Sequence, residues 1–175
     1  MIGFAAAREN SREPPVATLA LRVDGNMDKH LTILIAEDED NDLQLLQLAL
    51  KKAEITNPTQ ICRDGEQVLA YLKGEHPYAN RQEYPFPRLL ILDLKMPNMG
   101  GLDVLRWLRD NPGYSVIPTI VVSTSRLDTD IRTAYELGAN AYLVKPSSFA
   151  DLQKIFTHLV NFWSDCELPQ LSRKS

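Results

Sequence analysis

Five short apolar runs, each followed by a segment with apolar residues at helical spacing, constrain this chain more than any other feature. Leu31-Thr32-Ile33-Leu34-Ile35-Ala36 is almost continuously apolar, the pattern of a strand covered on both faces. Acidic residues follow, and Leu43, Leu46 and Leu50 then recur at helical spacing up to Ala53. Thr59 to Arg63 reads as a second strand and Gly65 to Gly74 as a second helix. Leu89 to Leu92 is a third apolar strand that runs into Asp93; Leu102, Leu105 and Leu108 mark a third helix, which stops near Asn111-Pro112-Gly113. Ile117 to Val122 is the fourth strand, with its proline near the start, where a missing N–H is tolerated. Arg126 to Leu137 is a helix with Gly138 suited to a left-handed cap, and Asn140 to Val144 is the fifth strand. Phe149, Leu152, Phe156, Leu159 and Trp163 form the apolar stripe of a last helix. Strands that alternate with helices pair in parallel, so the fold class is α/β with a doubly wound sheet.

A chain of 175 residues supports one domain with a full core. Residues 1–28, with a Pro-Pro pair and mixed charge, read as a flexible leader; residues 29–163 read as the domain and 164–175 as a tail. The net charge of −4 argues against nucleic acid or an anionic membrane as the main partner, since either needs a basic surface. No apolar run approaches the ~20 residues that span a bilayer. Arg8, Glu9, Arg12, Glu13 and Arg22 break up the leader, so it is not a secretory signal and the expected compartment is the cytoplasm. Cys62 and Cys166 have no C-x-x-C spacing and no neighbouring histidine, which leaves a zinc or redox site unsupported and points to reduced thiols.

In a doubly wound sheet, ligands bind at the carboxyl ends of the strands. Here those ends carry Glu37-Asp38, Asp93, Ser123-Thr124 and Lys145-Pro146. Clustered carboxylates repel one another unless a cation relieves them, and oxygen ligands without His or Cys suit magnesium. A carboxylate can attack phosphorus to form an aspartyl phosphate; Lys145 would pair with the phosphoryl group and the Ser123 hydroxyl would donate to it. Singly, each signal has an ordinary explanation. Glu37 to Asp42 could be an acidic helix start, Asp93 a turn residue, Lys145 a surface lysine and Tyr142 a half-buried strand aromatic. Together, at four strand ends, they favour one shared pocket.

Four segments carry a family resemblance: Ile33-Leu34-Ile35-Ala36-Glu37-Asp38, Leu92-Asp93-Leu94-Lys95-Met96-Pro97-Asn98-Met99-Gly100-Gly101, Val122-Ser123-Thr124 and Tyr142-Leu143-Val144-Lys145-Pro146. In order and spacing the chain resembles the receiver domain of two-component response regulators over about residues 30–163. The resemblance implies a flavodoxin-like sheet of order 2-1-3-4-5 with five helices. It also implies that Asp93 accepts phosphate from a histidine kinase. Asp38, Asp93 and the Lys95 backbone carbonyl would ligate Mg2+, with Glu37 acting mainly through water. Ser123 and Lys145 would bind the phosphoryl group, Thr124 would help through its backbone N–H, and Tyr142 would be the aromatic switch. Ser123 lacks the methyl of a threonine and Glu37 replaces an aspartate, neither of which removes the chemistry.

A narrower resemblance lies in Gly74-Glu75-His76-Pro77-Tyr78-Ala79, Val122-Ser123-Thr124-Ser125 and Phe162-Trp163 followed by Leu168-Pro169. These are similar to the small stand-alone regulators that partner bacterial phytochromes, although Ser164-Asp165-Cys166-Glu167 is more polar than that subgroup's tail. The implied partners are a sensor kinase of that type and a downstream protein target. Ile155 and Phe162 widen the last stripe enough for a homodimer or partner surface, and His76 to Pro87 reads as a surface loop. The function expected is therefore a phosphoacceptor in a phosphorelay, which assists its own phosphoryl transfer and is not an enzyme. One alternative is a binding module that works without phosphorylation. Another is an aspartyl phosphatase, but those place a second Asp two residues after the nucleophile, where this chain has Lys95.

Overall fold

The computed structural model describes residues 32–164 and Cys166. The expected leader over residues 1–28, and all of the expected tail but Ser164 and Cys166, lie outside the described residues. The elements follow in strict alternation: β1 (Ile33–Ala36), α1 (Asp40–Lys52), β2 (Thr59–Cys62), α2 (Gly65–Lys73), β3 (Leu89–Leu92), α3 (Gly101–Asp110), β4 (Thr119–Ser123), α4 (Asp128–Glu136), β5 (Ala141–Val144) and α5 (Phe149–Ser164). The five strands are all parallel, in the order β2-β1-β3-β4-β5.

The continuous apolar runs of β1 and β3 work because their alternate residues enter two different cores. Ile33, Ile35, Leu89, Ile91, Ile120 and Val122 face one way, against Leu43, Leu46 and Leu50 of α1 and Leu152 and Phe156 of α5. Leu34, Ala36, Leu90, Leu92 and Val121 face the other, against α2, α3 and Ala134 of α4. Both faces are covered, and the sheet has nowhere to expose a functional group except at its ends. The chain runs out from β1 to β2 on one side and from β3 to β5 on the other, so strand order reverses between β1 and β3. Their carboxyl ends border the crevice that such a reversal opens.

Expected boundaries shift where backbone hydrogen bonding decides them. β4 begins at Thr119 instead of Ile117 because Pro118 has no N–H to give, and pairing starts when its carbonyl accepts from Leu90 N. α4 begins at Asp128 instead of Arg126, since Leu127 is extended and its carbonyl accepts from Ile131 N as the first helical turn closes. The segment from His76 to Pro87 is more than a surface loop. The rings of Tyr78 and Tyr84 pack on that of Tyr71, and Arg81 donates to the Tyr71 and Leu72 carbonyls that end α2. Cys62 and Cys166 are free thiols.

The loop from β3 to α3 runs against its own start. Gly101 N donates to Leu94 O, and a Cβ on Gly101 would overlap the Asp93 carbonyl oxygen and come 2.9 Å from Leu94 Cα. Both obstacles are backbone and cannot swing away. Gly101→Ala should therefore destabilise the fold by about 2 kcal/mol in a denaturant titration; equal stability would contradict this close approach.

Candidate functional site

Parallel register brings two acids together before any side chain is considered. Ala36 pairs with Leu92, so Glu37 and Asp93 leave adjacent strands at the same level. Their backbones remain pinned, with Glu37 N donating to Cys62 O at 3.0 Å and Asp93 N to Ala36 O at 3.0 Å. On the other side Ser123 pairs with Val144, and Lys145 N donates to Ser123 O at 2.8 Å. This starts the lysine stem at the same end of the sheet. Its ammonium Nζ then reaches Glu37 Oε2 at 2.6 Å, Asp93 Oδ2 at 2.6 Å and Asp42 Oδ2 at 2.7 Å.

Burial gives these contacts their force. Glu37 is 1% exposed and Asp93 5%, so both carboxylates have lost most of their water. Burial pushes the Glu37 carboxyl up to about 6, even with Lys145 beside it pulling the other way. For Lys145, burial disfavours the charge, but hydrogen bonds to Asp42, Asp93 and Glu37 outweigh it and its pKa is raised. The three acids thus hold Lys145 in its cationic form.

The expected residues fall into distinct places. Glu37, Asp93 and Lys145 meet directly. Asp38 Oδ1 is sheltered from solvent with no hydrogen-bond partner among the described residues, an oxygen left with an unmet need. Lys95 N donates to Asp93 Oδ1 at 3.2 Å, while the residue itself is exposed. Ser123 is fully buried at the end of β4, and Thr124 is exposed beside it. Tyr142, on β5, is half-buried and donates its hydroxyl to Ser125 O at 3.1 Å.

Two residues were missed by the sequence reading. Asp42 sits in the first turn of α1, where an acid is expected for the helix dipole alone, so its contact with Lys145 leaves no local signal. Arg63 follows β2 and donates to the carbonyls of Glu37 and Asp38 at 3.5 and 3.3 Å, and to Asp40 Oδ1 at 2.6 Å. It braces the backbone that carries the two acids.

Carboxylate oxygens of Glu37, Asp42 and Asp93 lie within 4.8 Å of one another. This all-oxygen set fits a hard divalent cation such as magnesium, and Asp38, expected as a ligand, is not among the acids brought within that distance.

Comparison with known proteins identifies the family and the fold. The response regulator receiver domain family matches residues 33–157. Response regulator Rcp1 of Synechocystis sp. is 37% identical over 131 residues, covering 75% of this chain and 87% of its own. A Mn(2+)-bound form of Rcp1 has been solved and superposes with a TM-score of 0.72, at 35% identity over 80% of this chain and 99% of that one. A response regulator in red light signalling of R. palustris superposes with a TM-score of 0.76, at 38% identity over 80% of this chain and 99% of that one. The phosphorylated cyanobacterial phytochrome response regulator RcpA gives 0.74, at 34% identity over 81% and 99%.

Removing the ammonium leaves Glu37 and Asp93 buried without their cation. Lys145→Met should lose about 3 kcal/mol near neutral pH without divalent metal. Glu37, which burial already pushes up to about 6, then loses the lysine that pulls it down, so the stability it allows is greatest below its unfolded value and falls as pH rises through the folded one. Chemical denaturation should accordingly find the variant closer to wild type near pH 5 than near neutrality; an equal deficit at both would refute this account.

Proposed function

The chain belongs to the response regulator receiver family, and from that premise we propose that Asp93 accepts a phosphoryl group from a histidine kinase and passes the signal on as a change of shape. Residues 29–163 form the receiver unit in this reading. The observation that carries it is the contact of Lys145 Nζ with Asp93 Oδ2 at 2.6 Å, inside a pocket of strand-end acids. A carboxylate so placed is a nucleophile, with a fixed positive charge beside the position where phosphoryl oxygens would arrive.

Glu37, Asp38 and Asp93, with the Lys95 backbone carbonyl, would hold magnesium, which when bound neutralises part of the phosphoryl charge. The remaining work belongs to the chain itself. Asp93 forms the bond to phosphorus as the donor's imidazole nitrogen departs. Lys145 exchanges its Asp93 contact for a phosphoryl oxygen, and the Ser123 hydroxyl and Thr124 N–H donate to others. Tyr142 follows Ser123, because its hydroxyl is bonded to the carbonyl two residues further along the same loop. The aspartyl phosphate is the signal, so the protein is a phosphoacceptor that assists its own transfer. All the acids and the lysine are retained, which weighs against a module that never carries phosphate.

The phytochrome response regulators among the relatives support a kinase of bacterial phytochrome type as the donor. The output would be a protein target or a second copy met through α5, where Phe162 is 63% exposed. No described helix is long and apolar enough to cross a membrane, and the net charge is −4, which is consistent with a cytoplasmic protein that does not use nucleic acid.

Incubation with acetyl phosphate and Mg2+ should add the mass of one phosphoryl group to the intact protein, and none to Asp93→Asn. An unmodified wild type, or an equally modified variant, would end the proposal. Protons and the metal also compete for Glu37, whose carboxyl ionises near 6. Magnesium affinity by calorimetry should fall about tenfold between about pH 7.5 and about pH 5, and Glu37→Gln should flatten that dependence. A profile unchanged by the substitution would remove Glu37 from the metal site.

A further inference from the structure

The Lys145 ammonium has three N–H donors, and each has its own carboxylate. Two of these, on Glu37 and Asp93, stand at neighbouring strand ends with side chains 1% and 6% exposed. The third belongs to Asp42, which comes from a different layer and has a side chain 33% exposed. An acid in the first turn of a helix is favourable there without any further partner. The 2.7 Å bond from Asp42 to a lysine 103 residues away is therefore a separate feature of the fold.

A lysine stem has several rotatable bonds and does not aim its own charge. Glu37 and Asp93 alone would draw the ammonium down between the strand ends. Asp42, the most exposed of the three acids, gives the ammonium a third acceptor nearer the solvent. A phosphoryl group joined to Asp93 has to extend toward solvent, because the strand ends below it are packed. Given that Asp93 is the phosphoryl acceptor, we propose that Asp42 is a positioning residue that keeps the Lys145 ammonium on the open side of the pocket, ready for the incoming phosphoryl oxygens. In transfer from acetyl phosphate, an Asp93 oxygen bonds to phosphorus while the P–O bond to acetate breaks. Acetate leaves with the electron pair, and Lys145 moves from the carboxylate to a phosphoryl oxygen without giving up Asp42.

The test is the rate of phosphorylation by acetyl phosphate, followed by intact mass at Mg2+ saturating for each variant. Asp42→Ala should slow it about tenfold, and Asp42→Asn, which keeps an acceptor oxygen, should recover part of the loss. In a Lys145→Ala background the Asp42→Ala change should alter the rate by less than about twofold, since nothing remains to be positioned. Asp42→Ala at the wild-type rate, or a full loss repeated without the lysine, would overturn the proposal. Wild type that takes up no phosphate would instead overturn the assignment of Asp93 itself.

Discussion

A single ammonium held by three carboxylates is the interaction around which the functional end of this fold is arranged. Lys145 follows β5, at the edge of the sheet, while its acceptors come from β1, β3 and the first turn of α1. At ordinary strand spacing β5 lies about 10 Å from β3, a gap that a long stem and an acid reaching back can close and a short side chain cannot. The lysine thus joins the two halves of the sheet across the reversal in strand order. Its backbone is anchored by the bond to Ser123 O, so the position of the charge depends on the register of β4 with β5.

The arrangement is also out of balance. Three acids face one ammonium, and Asp38, the residue after Glu37, has a sheltered oxygen with no partner among the described residues. A pocket built for stability alone would bring in fewer acids, because each buried carboxylate loses hydration that one shared lysine only partly replaces. The raised pKa of Glu37 is the visible sign of that deficit. Surplus negative charge of this kind is what a hard cation relieves.

Much of this could be read in the chain order because the periodicity of the strands and the register of a parallel sheet are local consequences of sequence. Once Leu89 to Leu92 is a strand buried on both faces, Asp93 has to emerge at its carboxyl end, and the same reasoning locates Glu37, Ser123 and Lys145. What stayed hidden were features that local chemistry already accounts for. Asp42 is a satisfactory first-turn acid whether or not it meets a lysine, and only the tertiary fold, which brings Lys145 to it across 103 residues, decides that. Arg63 looks like any polar residue ending a strand until the β1–α1 loop folds over it. The order in the segment after α2 depends on Tyr71 being there to receive Tyr78 and Tyr84, a tertiary fact with no periodic signature.

The pocket has a physical route to the surface that does not pass through the core. Ser125 N approaches Ser123 Oγ at 3.5 Å, and Ser125 Oγ donates to Asp130 Oδ2 at 2.5 Å, which ties the loop after β4 to α4. The Ser125 carbonyl accepts from the Tyr142 hydroxyl, and Tyr142 N in turn donates to the Tyr135 hydroxyl on the exposed side of α4. A displacement of Ser123 toward a phosphoryl group would pull on Ser125, and Ser125 cannot move without stretching bonds to α4 and β5 together. Close-packed elements joined in this way tend to exchange one set of contacts for another instead of deforming gradually. A small motion at Asp93 would then become a change between two arrangements of α4 and β5, biased by whether phosphate is present.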